Sequence, residues 1–377
     1  MGKKMTKTIF ELDTPALLVD IDIMEKNLAR MQRKADAFKV KLRPHTKTHR
    51  TPALAKLQIE RGAKGIAVAK LGEAEVMYEE GIRDIFIPNE IVGPIKLERL
   101  RKLNNRDILL SVAVDHPDHV KMLSEVFSSP GNRGMNVFID VCTGYPRTGV
   151  QPRKDALALA RMIADSPGLH LKGIFTHDGH SYRAADSGEV REIFRKSQED
   201  MLETAELMRG AGIPVEEISV GSTPSLLLCD EILEGVTEIR PGSYIFMDAD
   251  QASVAGTYEH CAQTVLATVI SRPTEERVVI DAGTKTLTAC QSLSGIASSK
   301  GHGRLKEHPE IFLNRIAEEH GSFDIPGGSG LSYRIGDRIE IISNHACPTS
   351  NLFHTIYGVK KGEVVAEWPV LAQSRSQ

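Results

Sequence analysis

Eight short apolar runs, alternating with longer amphipathic segments, constrain this chain more than any other feature. The runs span residues 41–47, 65–69, 84–90, 107–114, 136–141, 170–177, 217–222 and 238–244. Helical patterns lie between them at 52–61, 72–80, 94–103, 117–127, 154–164 and 189–210, with a shorter one at 224–233. Prolines at positions 52, 94, 117 and 224 stand where helices prefer to begin. Strands that alternate with helices read as a parallel sheet, and eight of them as an α/β fold of the TIM-type, a (β/α)8 barrel.

Outside that stretch the texture changes. A strand at 15–23 and a helix near 24–38 precede the first run. After residue 245, strand patterns at 265–271, 278–281, 338–343, 355–359 and 363–369 follow without long helices between them. The expected division is a barrel over 24–245 and a mostly-β domain built from 1–23 plus 246–377. The chain has 377 residues, room for both units. It is 41% hydrophobic and 26% charged, an ordinary balance for a buried core.

Composition also excludes partners. A net charge of -3 makes no case for nucleic acid or anionic lipid. No apolar run approaches the roughly 18 residues of a membrane span. The basic start, Lys3, Lys4 and Lys7, has no long apolar segment behind it and reads as a frayed terminus, not a signal peptide. The five cysteines, at 142, 229, 261, 290 and 347, lack paired spacing, so a reducing cytoplasm is expected rather than a disulfide framework.

Barrel enzymes carry their chemistry where strands end and βα loops begin. The first run ends in Arg43-Pro44-His45-Thr46-Lys47-Thr48-His49. Strand alternation would put Arg43, His45 and Lys47 on one face. A lysine desolvated in a barrel mouth near other cations forms a Schiff base readily. On Lys47 alone, a surface lysine in a basic loop is the simpler reading. Arg147, between Gly144 and Gly149 after the fifth run, suits an anion or phenolate; an ordinary loop arginine fits the spacing as well. His177, closing the sixth run, can stack on a cofactor ring or be a packed core histidine. The seventh and eighth runs end in Gly221-Ser222-Thr223-Pro224-Ser225 and Arg240-Pro241-Gly242-Ser243-Tyr244. Small residues and hydroxyls in the last two βα loops together favour a phosphate site over two plain turns. Near the C-terminus His345 and Cys347 project to one face at the end of a strand, suited to Zn²⁺ or another borderline divalent ion. A buried cysteine beside a capping histidine is the alternative. Glu319-His320-Gly321 offers a further ligand, a base or a loop.

In combination and order these motifs, together with Leu12-Asp13-Thr14-Pro15-Ala16 and Asp281-Ala282-Gly283, resemble the fold-type III pyridoxal 5′-phosphate (PLP) enzymes of the alanine-racemase-like superfamily. The nearest branch is that of D-threonine aldolase and D-serine dehydratase. The resemblance implies that Lys47 bonds the cofactor, with His45 beside it, and that Arg147 meets the phenolate. It sets His177 and Tyr182 near the ring, and Arg240 at the pyridine nitrogen. Ser222, Thr223, Gly242 and Ser243, with Tyr244, would hold the phosphate, and His345 and Cys347 a divalent metal (Mn, Mg or Zn). The aldolases tend to carry His-x-Asp as the metal pair and the dehydratases His-x-Cys, which is the pattern here. Other segments, 88–94, 243–250 and 348–352, look aldolase-like, and by extent of match the aldolase is favoured.

The expected activity is therefore retro-aldol cleavage of a D-β-hydroxy-α-amino acid to glycine and an aldehyde. The alternative is β-elimination to a keto acid and ammonia, as by D-serine or D-threo-3-hydroxyaspartate dehydratase. A racemase would need a second base in the β domain, and no matching tyrosine is evident. A non-catalytic PLP carrier would lack residues 246–377. An arginine at the ring nitrogen stays protonated and would weaken the electron sink, which is racemase-like. The resemblance also implies a homodimer.

Overall fold

The longer parallel strands form where β-branched and aromatic residues run together, and two of them stop directly at a hydroxyl or a glycine, Thr176 and Gly221. The computed structural model describes residues 7–292 and 294–377. Two compact units divide it. One comprises Met31–Lys47, Pro52–Gly242 and Ser374–Gln377; the other comprises, of the described residues, 7–30, Thr48–Thr51 and those within Ser243–Gln373.

The first unit is the expected barrel. Its strands are β1 (Lys41–Leu42), β2 (Ile66–Ala67), β3 (Asp84–Glu90), β4 (Leu109–Val114), β5 (Met135–Asp140), β6 (Leu169–Phe175), β7 (Glu217–Val220) and β8 (Glu238–Ile239). All neighbours pair in parallel, in the order β1-β8-β7-β6-β5-β4-β3-β2. The ring closes through a parallel bridge between His45 and Ala67, with the Ala67 N–H donating to the Pro44 carbonyl at 2.8 Å. Between strands run α1 (Pro52–Glu60), α2 (Leu71–Glu79), α3 (Pro94–Asn104), α4 (Pro117–Phe127), α5 (Lys154–Ala164), α6 (Ser187–Gly210) and the short α7 (Thr223–Leu228). Proline opens α3 and α4, and the His116 ring caps α4 by accepting the Asp118 N–H at 3.1 Å. Asp186 caps α6 the same way through Glu189 at 2.9 Å.

Inside the barrel, Phe86, Phe138 and Phe175 form one buried cluster with Ala113. Phe86 meets Phe138 at 4.5 Å between ring centres and Phe175 edge-on at 5.2 Å. Burying each ring stabilises the fold by roughly 1.5–3 kcal/mol. β6 and β7 approach so closely at Gly173 that a Cβ there would lie 2.1 Å from the Glu217 carbonyl oxygen, so only glycine fits.

The second unit is mostly β. Lys7–Thr8, Glu363–Pro369, Thr355–Lys360, Ala16–Asp20, Gln263–Ser271, Arg277–Ile280, Gly321–Asp324 and Arg315–Ile316 lie side by side in that order. Arg338–Ile342 joins Gln263–Ser271 and Arg304–Leu305. Only Thr355–Lys360 against Ala16–Asp20 is parallel within this sheet. Leu12, Ala16, Leu18, Leu266 and Val364 make its buried cluster.

Several expectations need correction. Lys7 is not frayed: it pairs with Val364. Lys3 and Lys4 lie outside the described residues. The first strand ends at Leu42, not at residue 47, because Pro44 has no N–H to give the ladder. The eighth stops at Ile239, ahead of Pro241, for the same reason. The helix Ile21–Ala37 runs across the expected boundary at 23/24, and Thr48–Thr51 and Ser243–Ile245 group with the sheet. No helix among the described residues is long and apolar enough to cross a membrane. None of the five cysteines is in a disulfide.

Candidate active site

Lys47 sits on a single 3-10 turn, Thr46–Thr48, just past the end of β1. That turn is anchored from below. The buried Thr46 hydroxyl donates to Glu73 Oε1 at 3.0 Å and to the Ala67 carbonyl at 3.2 Å. Glu73, on the first turn of α2, also accepts the Ala69 N–H at 2.8 Å. Lys47 is half-buried, and among the described residues no carboxylate pairs with its Nζ. Arg43 does not share its face as strand alternation would have it. Once β1 ends, the two-residue period is lost, and Arg43 is drawn into a buried ion pair with Glu238 at 2.7 Å and Asp84 at 2.6 Å.

Around Lys47 the field is positive. Burial, and then the charges of Lys47, Arg240, His177 and Arg147, hold His45 well below the ordinary histidine range. His177 is pushed down in the same way by burial, Lys47, Arg147 and Arg240, with a Gly221 backbone hydrogen bond acting against them. Both imidazoles are therefore neutral near pH 7. His45 Nδ1 accepts the Lys47 backbone N–H at 3.3 Å, which leaves its Nε2 as the protonated nitrogen. Tyr145 stands edge-on to His177 at 5.8 Å, and the Arg147 guanidinium lies 5.6 Å from the centre of the Tyr145 ring.

Arg240 lies over Phe175 at 5.0 Å and donates to the Thr176 carbonyl at 2.5 Å and to the Ser219 hydroxyl. Burial lowers its pKa to about 10, against the pull of Glu238, so it remains a cation at neutral pH. Ser219 in turn donates to Glu238 at 2.6 Å.

The two last βα loops of the barrel unit come together. Gly221, at φ +106°, turns the chain into α7, whose leading N–H groups have no helical acceptor. The Gly242 N–H reaches Thr223 Oγ1 at 3.3 Å. The Ser222 hydroxyl faces inward, donating to Asp178 Oδ2 at 3.1 Å beside Ser181 and Ser225. Asp178 is wholly buried, its pKa raised by burial, and its Oδ1 has no partner among the described residues. Tyr182 is half-buried on the turn Gly179–Arg183. Ser243 and Tyr244 are buried on the turn Ser243–Ile245 of the β unit.

Within the β unit, His345 caps a short helix, Ala346–Ser350, that carries Cys347. The Cys347 sulfur lies 3.3 Å from Thr48 Oγ1 and 3.7 Å from Ser243 Oγ. Burial opposes charge on His345, yet the sulfur of Cys347 and the carboxylate of Asp248 raise its pKa to about 10. Asp248 accepts the Ala346 N–H at 2.8 Å, fixing the start of the helix. Among the described residues no group of three His, Cys, Asp or Glu side chains stands ready for a metal. Glu319 pairs instead with Lys285 at 2.7 Å, and His320 is exposed.

Residues 19–250 match the family described as alanine racemase, N-terminal domain, and residues 262–359 match the putative serine dehydratase domain. The chain belongs to the alanine-racemase-like family of fold-type III PLP enzymes. It is 33% identical to a D-threonine aldolase of an Arthrobacter species, over 97% of this chain and 94% of that one. It is 31% identical to the D-threo-3-hydroxyaspartate dehydratase of a Delftia species, over 97% and 98%. The solved D-threonine aldolase of Filomicrobium marinum superposes with a TM-score of 0.88 at 31% identity, covering 99% of each chain.

The barrel fits the cofactor of this family. An unpaired lysine among cations and neutral imidazoles suits an anionic aldehyde, and a glycine-led helix start suits its phosphate. The β unit fits a divalent ion less completely: His345 and Cys347 are two donors, and among the described residues no third His, Cys, Asp or Glu joins them in a ready group. Glu73, Asp178 and Tyr145 escaped sequence reasoning. Each supports a neighbour rather than announcing a motif; the only signal was position, in a βα loop or a first helical turn.

Proposed function

We propose that this chain is a lyase for D-β-hydroxy-α-amino acids that uses PLP and a divalent metal. Its reaction is of the D-threonine aldolase type, cleaving substrate to glycine and an aldehyde. The observation that carries the reading is Lys47 on its anchored turn, with no carboxylate partner among the described residues, beside two neutral, half-buried imidazoles.

PLP supplies an electron sink for the charge that develops on the substrate's α-carbon. Lys47 would be the residue that holds its aldehyde, and its amine would be the group able to move a proton at the substrate's α-carbon. His45 orients that amine's turn through Nδ1 and offers Nε2–H as a donor. Arg147 and Arg240 keep the mouth positive, and His177, neutral, packs at the ring. Ser222, Thr223 and Gly242, and with them Ser243, Tyr244 and Tyr182, would be the residues that hold the remaining edges of the cofactor. A metal held by His345 and Cys347 supplies a Lewis acid for the substrate's β-hydroxyl.

A second reading, β-elimination by a dehydratase, is favoured by one detail. Solved mutants of a D-threo-3-hydroxyaspartate dehydratase replace a histidine and, two positions later, a cysteine, and the cysteine mutant is described as in the metal-free form. His345 and Cys347 have that spacing. The chain is further proposed to be a cytoplasmic homodimer, which its mass in solution will test.

The experiment is incubation of the purified protein with D-threonine and D-serine, with and without chelator. Glycine plus aldehyde, lost on chelation, is the expected outcome. Keto acid plus ammonia would move the assignment to the dehydratase. Borohydride should trap PLP on the peptide containing Lys47; trapping elsewhere, or none, overturns both readings.

A further inference from the structure

Arg147 is the cation set against the cofactor's phenolate in the proposed function, and a loosely held loop arginine would serve that role poorly. Its own guanidinium makes no salt bridge among the described residues. Its neighbours, however, are pinned. The Thr148 hydroxyl donates to Asp140 Oδ2 at 2.7 Å, and the Gly149 N–H donates to Asp115 Oδ2 at 2.9 Å. The other oxygen of Asp115 lies 3.0 Å from His119 Nδ1, one helical turn on. Gly149 has φ +101°, and a Cβ there would lie 2.8 Å from the Cys142 nitrogen, so the loop has one way to present this N–H. The loop returns to β5 through the Val150 N–H to the Asp140 carbonyl at 3.0 Å.

We infer that Asp115, held by His119, is a positioning residue for Arg147. It acts through the Gly149 backbone and not by pairing with the guanidinium, so the arginine keeps its charge for an anion. His119 and Asp115 shift each other's titration in the senses an ion pair requires: Asp115 is lowered chiefly by its hydrogen bond from His119, and His119 is raised by the same bond. A loop held by charge on Arg147 itself would need a carboxylate in contact with it; Asp140 and Asp115 are spent on residues 148 and 149, and Glu90, which also feels the Arg147 charge, makes no salt bridge with it among the described residues. The inference rests on the reading that PLP is bound at Lys47.

The test is a titration of the full-length apoprotein with PLP, read by the visible absorbance of the lysine-bound cofactor. The proteins are wild type, Asp115→Ala, Asp115→Asn, Arg147→Ala and the Asp115→Ala/Arg147→Ala pair. Asp115→Ala should weaken binding by on the order of tenfold, the factor for one hydrogen bond to a charged group. Asp115→Asn, whose amide oxygen still accepts the Gly149 N–H, should stay within about threefold of wild type. In the Arg147→Ala background the alanine at 115 should cost little more, because its effect passes through the arginine. A full additive loss in that background, or an Asp115→Ala protein that binds as wild type does, overturns the inference while leaving the proposed function intact. If Asp115→Ala does not fold, His119→Gln takes its place in the same cycle. A wild-type chain that takes up no PLP overturns both.

Discussion

Asp140 shows how much one side chain in the mouth is shaped by its surroundings. Burial raises its carboxyl from 3.8 to about 6, although the Thr148 hydroxyl opposes this and Arg147 lies nearby. The folded chain therefore holds its proton over a range in which the unfolded chain has lost it. Stability conferred by the protonated form is present below about pH 3.8 and falls as pH rises to about 6. The size is about 3 kcal/mol, from two pK units at about 1.4 kcal/mol each. Asp140→Asn cannot titrate. Urea unfolding at pH 4 to 7 should show the variant gaining on wild type up to pH 6 and no further; a difference that is flat across that range would refute the assignment.

At the scale of elements, the turn bearing Lys47 owes its shape to α2. Glu73 is fully buried and accepts from both Thr46 and Ala69. Glu73→Ala should cost about 1–3 kcal/mol, since the half-buried Ala69 N–H loses its acceptor and Thr46 keeps only the Ala67 carbonyl. It should also lower borohydride trapping on Lys47 at limiting PLP, which thermal unfolding and peptide mass will check together. The sequence made other elements plain. Asp84–Glu90, Pro117–Phe127, Lys154–Ala164 and Glu363–Pro369 have the bounds that periodicity and prolines suggest. It hid Arg304–Leu305, Arg315–Ile316 and Gly321–Asp324, too short for any period to show, and Ala249–Ala255, which its Asp248 cap and Gly256 end define only once folded. The site was legible where a motif is local, as at 43–49 and 221–225. It was not legible where side chains converge from separate loops: Asp115, itself beside His119, reaches Gly149 across 34 positions of sequence.

At the scale of the whole molecule, ligand and fold are linked by mass action. PLP at 100 times its Kd should add about 2.7 kcal/mol to the stability of a chain that binds it only when folded. The melting temperature of the apoprotein should rise by several degrees on PLP addition, and Lys47→Ala should lose most of that rise. An equal rise in both would mean that the lysine is not the cofactor's anchor. The last residue bears on that anchor. The Gln377 carbonyl accepts the Gly72 N–H at 2.8 Å, on the same helical turn as Glu73. A change that breaks this bond would loosen the turn that carries Glu73 and, through Thr46, the footing of Lys47.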